Sequence, residues 1–209
     1  MGKKQRTIYF VFTDTGTYLS RIINFFTNKT LNHVSISLNS TLTDVYSFGR
    51  KNPRNPFSGG FVKEDIRGIF LKDAACAIYS FNLSDAEFRC LTRYIKQFES
   101  EKEYYKYNFI GLIGVLLNIK IHRKRAFFCS QFAATVMKDV PSFRIEKPAC
   151  FVTPSDIRNH PGMIKVYEGK LGNYKKAGVQ VERVIVNEDS AKHPVLFTIT
   201  KIVKQFVIR

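Results

Sequence analysis

Four cysteines and four histidines are the residues of this chain that could supply a nucleophile and a base. Cys129 has the most suggestive setting. In "RKRAFFCSQFAATVM", residues 123–137, it follows a basic run and two phenylalanines and opens a segment that reads as a helix. A thiol attacks as its thiolate, which a helix N-terminus and a protonated imidazole favour. The free N–H groups of a first helical turn can also face a developing oxyanion. The same residues suit plain packing, because free cysteine is among the most buried residue types and Phe127, Phe128, Phe132 and Val136 give Cys129 an apolar neighbourhood. Cys76 in an apolar strand and Cys90 beside a helical apolar stripe read as core thiols, and Cys150 falls in a loop before "FVTPSD".

A base for Cys129 must come from His33, His122, His160 or His193. In "HVSISL" the alternation sets His33, Ser35 and Ser37 on one face and Val34, Ile36 and Leu38 on the other. His33 therefore lies on a rigid element among polar neighbours. His122 stands in a cationic stretch, and His160 and His193 each precede a proline in a loop. A third group should orient the imidazole through its far nitrogen. If the following hairpin pairs Leu38 with Asp44, Ser47 shares the face of His33; a one-residue slip would bring Asp44 or Tyr46 nearer instead.

The elements that must hold these residues can be read from periodicity. "TIYFVF" from Thr7 is a buried strand by composition. "TYLSRIINFFTNKT" has helical apolar spacing, and "HVSISL" and "VYSFG" form a hairpin across "NSTLTD". "NPRNPFSGG" is a loop, followed by short strands in "FVKEDI" and "CAIYSFNL". Ser84 and Glu87 make a capping box for a helix carrying Phe88, Leu91, Tyr94, Ile95 and Phe98. "FIGLIGVLLNI" is expected to be a buried helix, the Cys129 helix stops before Pro141, and "TPSDIRNH" is a small capped element. The tail from Val179 is strand-like and ends basic and apolar together.

The chain has 209 residues, 33 Lys and Arg against 17 Asp and Glu, and a net charge of +16. Such a field attracts polyanions: nucleic acid, an anionic membrane surface or an acidic polymer. No RNP-like motif appears, and aromatics at helix and strand periods read as core, so nucleic acid is the less favoured partner. There is no CxxC pair, metal-finger spacing or HExxH, so no metal or cofactor is implied. The basic start leads into a strand rather than a secretory h-region, and no apolar run reaches the roughly 20 residues that span a bilayer. A cytoplasmic protein with free thiols is expected.

"NHVSISL" followed by a hairpin, "YSFGRKNPRNPFSGGFV", the much later "FFCSQFAATVM" and the "PSDI…YEGKL" piece together resemble the circularly permuted branch of the NlpC/P60 papain-like superfamily, near its YiiX-like and lecithin–retinol acyltransferase-like groups. The resemblance runs from about Thr7 through Tyr174. It implies an α+β fold, a central antiparallel sheet packed against helices, over residues 1–175; residues 176–209, beyond the resemblance, are expected to be a C-terminal extension packed on the same domain. It makes Cys129 the nucleophile and His33 the base, with Ser47 at a third position where family members often carry Glu or His. The implied activity is that of a cysteine hydrolase or acyltransferase on an amide or ester: peptide, cell-wall amide or lipid acyl chain. A papain-like protein that has lost catalysis and binds an acidic ligand is the alternative.

Overall fold

A computed structural model describes residues 5–14, 30–51, 59–68, 71–121 and 123–174. They belong to one compact unit spanning Met1–Lys175. The expected helix in "TYLSRIINFFTNKT" and the basic–apolar tail lie outside the described residues, as do His122 and His193.

The architecture is α+β. β1 (Gln5–Thr13), β2 (His33–Ser37), β3 (Val45–Arg50), β4 (Gly59–Lys63), β5 (Ala75–Ser84) and β8 (Ile164–Lys170) form one sheet in the order β4-β3-β2-β1-β5-β8. All its pairings are antiparallel. A parallel pair, β6 (Lys106–Tyr107) and β7 (Ala126–Phe127), stands apart. The helices are α1 (Asp85–Ser100), α2 (Phe109–Leu116), α3 (Cys129–Val136) and α4 (Pro154–Arg158).

Strand alternation sorts the sheet's side chains into two faces. Ile8, Phe10, Phe12, Val34, Ile36, Tyr46, Phe48 and Phe61 share the main core with Leu91, Ile95 and Phe98 of α1 and with Cys129, Phe132 and Val136 of α3. Phe132 is fully buried, with its ring centroid 5.3 Å from Phe48, 5.6 Å from Phe61 and 5.2 Å from Phe98. Each such side chain stabilises the fold by about 1.5–3 kcal/mol through burial alone. The opposite face carries a smaller apolar set, including Val11, Val45, Ile66, Cys76 and Ile78. Among these stand the buried polar residues Thr13, Ser35, Ser37 and Ser47.

The local signals act as their chemistry requires. Ser84 accepts from the Glu87 N–H while Glu87 accepts from the Ser84 N–H, closing the capping box of α1. Thr153 and Asp156 do the same for α4. One expectation is corrected. "FIGLIGVLLNI" does form a helix, but not a buried one: Phe109, Ile110 and Ile113 are exposed. Gly111 and Gly114 sit on its buried side, so the small residues face the protein and the large ones face outward.

Candidate functional site

Cys129 is the first residue of α3, immediately after the short β7. Phe128 at the N-cap has no side chain able to accept a hydrogen bond, so the first-turn N–H groups receive no side-chain cap. Ser130 is anchored instead to the Val152 carbonyl by its Oγ, at 2.6 Å. The Cys129 thiol is 5% exposed and lies 3.8 Å from the Asn32 carbonyl oxygen, the residue just before β2.

β2 begins at His33, which pairs with Thr13 on β1. The β2–β3 hairpin sets Ser37 opposite Val45 and continues with the Leu38 N–H donating to the Asp44 carbonyl at 3.1 Å. This register places Ser47 on the face of His33 and Ser35. Ser47 Oγ lies 3.3 Å from His33 Nε2 and donates to the Val34 carbonyl at 3.0 Å. Asp44 is paired with Lys63 at 2.7 Å, and Tyr46 stacks on Phe61 in the main core, so neither faces the imidazole.

The dominant partner of His33 is a residue absent from the sequence reading. Glu64, one residue beyond β4, puts Oε1 2.6 Å from His33 Nε2, and Ser35 Oγ donates to its Oε2 at 2.6 Å. The pair is nearly closed to water, with side chains 16% and 13% exposed. Gly49 adjoins the pair: a Cβ there would make ordinary contacts, 3.7 Å from His33 Cε1 and 3.8 Å from Glu64 Oε1.

Burial works against a charged imidazole at this position. The Glu64 carboxylate, the neighbouring Cys129 thiol and the hydrogen bond with Glu64 outweigh it and hold His33 well above its ordinary value. Burial likewise pushes Glu64 up, but the His33 charge and hydrogen bonds from His33 and Ser35 bring it below the usual carboxylate range. Nε2 is committed to Glu64, with the Ser35 and Ser47 hydroxyls each 3.3 Å from it. The arrangement can therefore pass a proton between Cys129 and an imidazole whose cationic form is stabilised from the far side.

The remaining candidates lie elsewhere. His160 stacks on Phe143 with ring centroids 4.3 Å apart, and burial lowers its basicity. Burial and the Glu168 charge push the Cys76 thiol up to about 12. Cys90 and Cys150 are half-buried, and all four cysteines are free. Thr13 is 3% exposed, and its Oγ1 has no hydrogen-bond partner among the described residues. No cluster of His, Cys, Asp and Glu suited to a metal ion occurs among the described residues.

The class that fold and site define is an α+β protein in which a buried His–Glu pair on the sheet meets a thiol at a helix start. The chain matches no protein-family model, no curated protein and no solved structure.

Proposed function

We propose that this protein is a thiol-dependent hydrolase or acyltransferase of the permuted papain-like kind, acting on an amide or ester bond. The carrying observation is the buried His33–Glu64 pair, 2.6 Å apart, at the start of the strand whose preceding residue, Asn32, accepts from the Cys129 thiol at 3.8 Å. The order of the parts along the chain, strand histidine before helix cysteine, is that of the permuted branch.

In this reading the proton of the Cys129 thiol is held by His33, and the sulfur attacks the substrate carbonyl carbon. The carbonyl electron pair moves onto oxygen, which faces the uncapped N–H groups at the start of α3. Collapse of the tetrahedral intermediate expels an amine or alcohol, which takes the proton from His33. A water molecule or a second acceptor then gives its proton to His33 and attacks the thioester, and sulfur leaves with that proton. Glu64 takes the orienting role that the family resemblance gave to Ser47, while Ser47 flanks the ring and ties it to the β2 backbone.

Cysteine labelling tests this reading. Substoichiometric iodoacetamide should modify Cys129 ahead of Cys90 and Cys150, although Cys129 is buried and they are half-exposed. That preference should vanish in His33→Ala. Faster labelling of Cys90 and Cys150, with Cys129 inert in wild type and variant alike, would refute the proposal and leave a core thiol beside a structural ion pair. Free thiols at all four positions accord with a reducing compartment. Among the described residues no helix is long and apolar enough to cross a membrane.

A further inference from the structure

Helix α2 turns its large apolar side chains to solvent. Phe109, Ile110, Ile113, Leu117 and Ile119 are 45, 49, 43, 63 and 54% exposed. Positions 109, 113 and 117 recur at four-residue spacing, with 110 beside them, so they form one face of the helix and its exit. The inward positions are small for a reason. A Cβ on Gly114 would stand 2.6 Å from the Ile119 carbonyl oxygen and 3.1 Å from the Ile121 side chain, so the helix packs there against its own return. The outward face is thus a separate, contiguous apolar surface rather than a loosened core.

Its border is cationic. From Tyr104 through Lys138 the chain contains no Asp or Glu. Lys106, Lys120, Arg123, Lys124 and Arg125 in this stretch are exposed. We propose that α2 and its return through residue 125 form a docking surface for an anionic lipid bilayer. The apolar face enters the acyl boundary, and Lys120, Arg123, Lys124 and Arg125 meet lipid phosphates. The chemistry selects this occupant over others. A second copy would set these cations against their own symmetry mates. Single-stranded nucleic acid needs stacking platforms, and of the six exposed large side chains from Tyr104 through Ile119 four are aliphatic, Tyr104 and Phe109 being the aromatic ones.

The surface adjoins the candidate site. α2 and α3 leave neighbouring strands of one parallel pair, with Tyr107 opposite Phe127, and Asn108 Nδ2 donates to Gln131 Oε1 at 3.4 Å. Docking by α2 would therefore hold the Cys129 helix start close to the bilayer. The inference does not rest on catalysis: Cys129→Ala should bind vesicles as the wild type does.

The experiment is cosedimentation of the full chain with phosphatidylcholine vesicles, with and without phosphatidylserine, at about 0.15 M salt. Binding is expected on the anionic vesicles. Ile113→Asp with Leu117→Asp should weaken it by at least about tenfold at every salt concentration. Arg123→Gln, Lys124→Gln and Arg125→Gln should each weaken it about fivefold, and less as salt rises. The inference is overturned by a wild type that ignores anionic vesicles, or by binding that the Asp pair leaves unchanged, which would mean diffuse adsorption by the +16 surface. Self-association through this face without vesicle binding would overturn it equally. So would a large drop in the unfolding midpoint of the milder Ile113→Ser protein, which would show the face covered within the chain.

Discussion

Replacing Glu64 by Gln keeps the shape of the site and removes one charge, so it isolates the His33–Glu64 ion pair. At an effective dielectric of 20, unit charges 2.6 Å apart attract by about 6 kcal/mol before desolvation is subtracted. Breaking a buried pair by removing one partner costs about 3–5 kcal/mol, and both side chains here are less than one-fifth exposed. The loss should depend on pH in a way that packing does not. The folded-state pKa of His33 is raised above its ordinary 6.5, so its contribution is complete below 6.5 and fades as pH rises through the folded value. That of Glu64 is lowered from 4.5, so its contribution is complete above 4.5 and fades as pH falls through the folded value. The two windows overlap between about pH 4.5 and 6.5.

The difference in unfolding free energy between wild type and Glu64→Gln should therefore peak between those values, at about 3–5 kcal/mol. For a chain of this size that is a fall in midpoint of roughly 10 °C. At alkaline pH, where His33 is neutral and Glu64 still ionised, the deficit should shrink, because Gln then removes a buried carboxylate that has lost its cation. In the variant, burial favours the neutral form of His33 with only Cys129 opposing it, so acidification should destabilise it where the wild type holds. Urea titrations across pH, with unchanged slope, measure the quantity directly. A deficit that is flat from pH 5 to 9, or absent, would refute the ion-pair account and reduce Glu64 to a packing residue.

Substitutions at four further positions have expected outcomes. Cys129→Ser should abolish turnover, once an amide or thioester substrate is found, without moving the unfolding midpoint by more than about 1–2 °C, checked by calorimetry beside the assay. Gly49→Ala should be nearly silent, since its Cβ meets only ordinary contacts of 3.6–3.8 Å. Gly49→Val should cost about 1–3 kcal/mol by crowding His33 and Glu64, read from the same urea curves. Thr13→Val replaces a buried hydroxyl without a partner among the described residues and should be neutral or stabilising by up to about 1 kcal/mol, whereas a clear loss would reveal a partner for that oxygen. Ser84→Ala should cost about 1 kcal/mol in thermal unfolding by opening the α1 capping box.

Most elements could be read from residue pattern because each rests on local physics. The alternation of "HVSISL", the Ser84–Glu87 box and the start of α3 at Cys129 all lie where periodicity and capping put them. The Leu38–Asp44 register, which the sequence left open to a one-residue slip, is the one that sets the face of Ser47. Glu64 was illegible for the complementary reason. Its approach to His33 depends on the register of a second hairpin, β3 with β4, whose connection through Pro53, Pro56 and Gly59 is too long to set pairing by turn geometry. The one signal was alternation: Val62 and Glu64 share a face, and Val62 pairs with Ser47. The α2 helix misled for another reason. Its hydropathy is high throughout, and hydropathy alone does not distinguish an apolar face turned inward from one turned to a non-aqueous neighbour.

The two-faced sheet explains why the histidine stands at the very start of β2. Val34 and Ile36 point into the main core with α3, whereas His33, Ser35 and Ser47 point to the other face, where Glu64 lies. A histidine in the middle of the strand would be screened from the α3 thiol by the sheet itself. At the first residue, the strand end is open: the Asn32 carbonyl accepts from the thiol, and the adjoining His33 ring meets Glu64. Shifting the strand by one residue would present Val34 to Glu64 and leave a buried carboxylate without its cation. Register, ion pair and thiol access are thus one constraint, and the serine pair Ser35–Ser47 is the polar floor that makes a buried carboxylate tolerable on an otherwise apolar sheet.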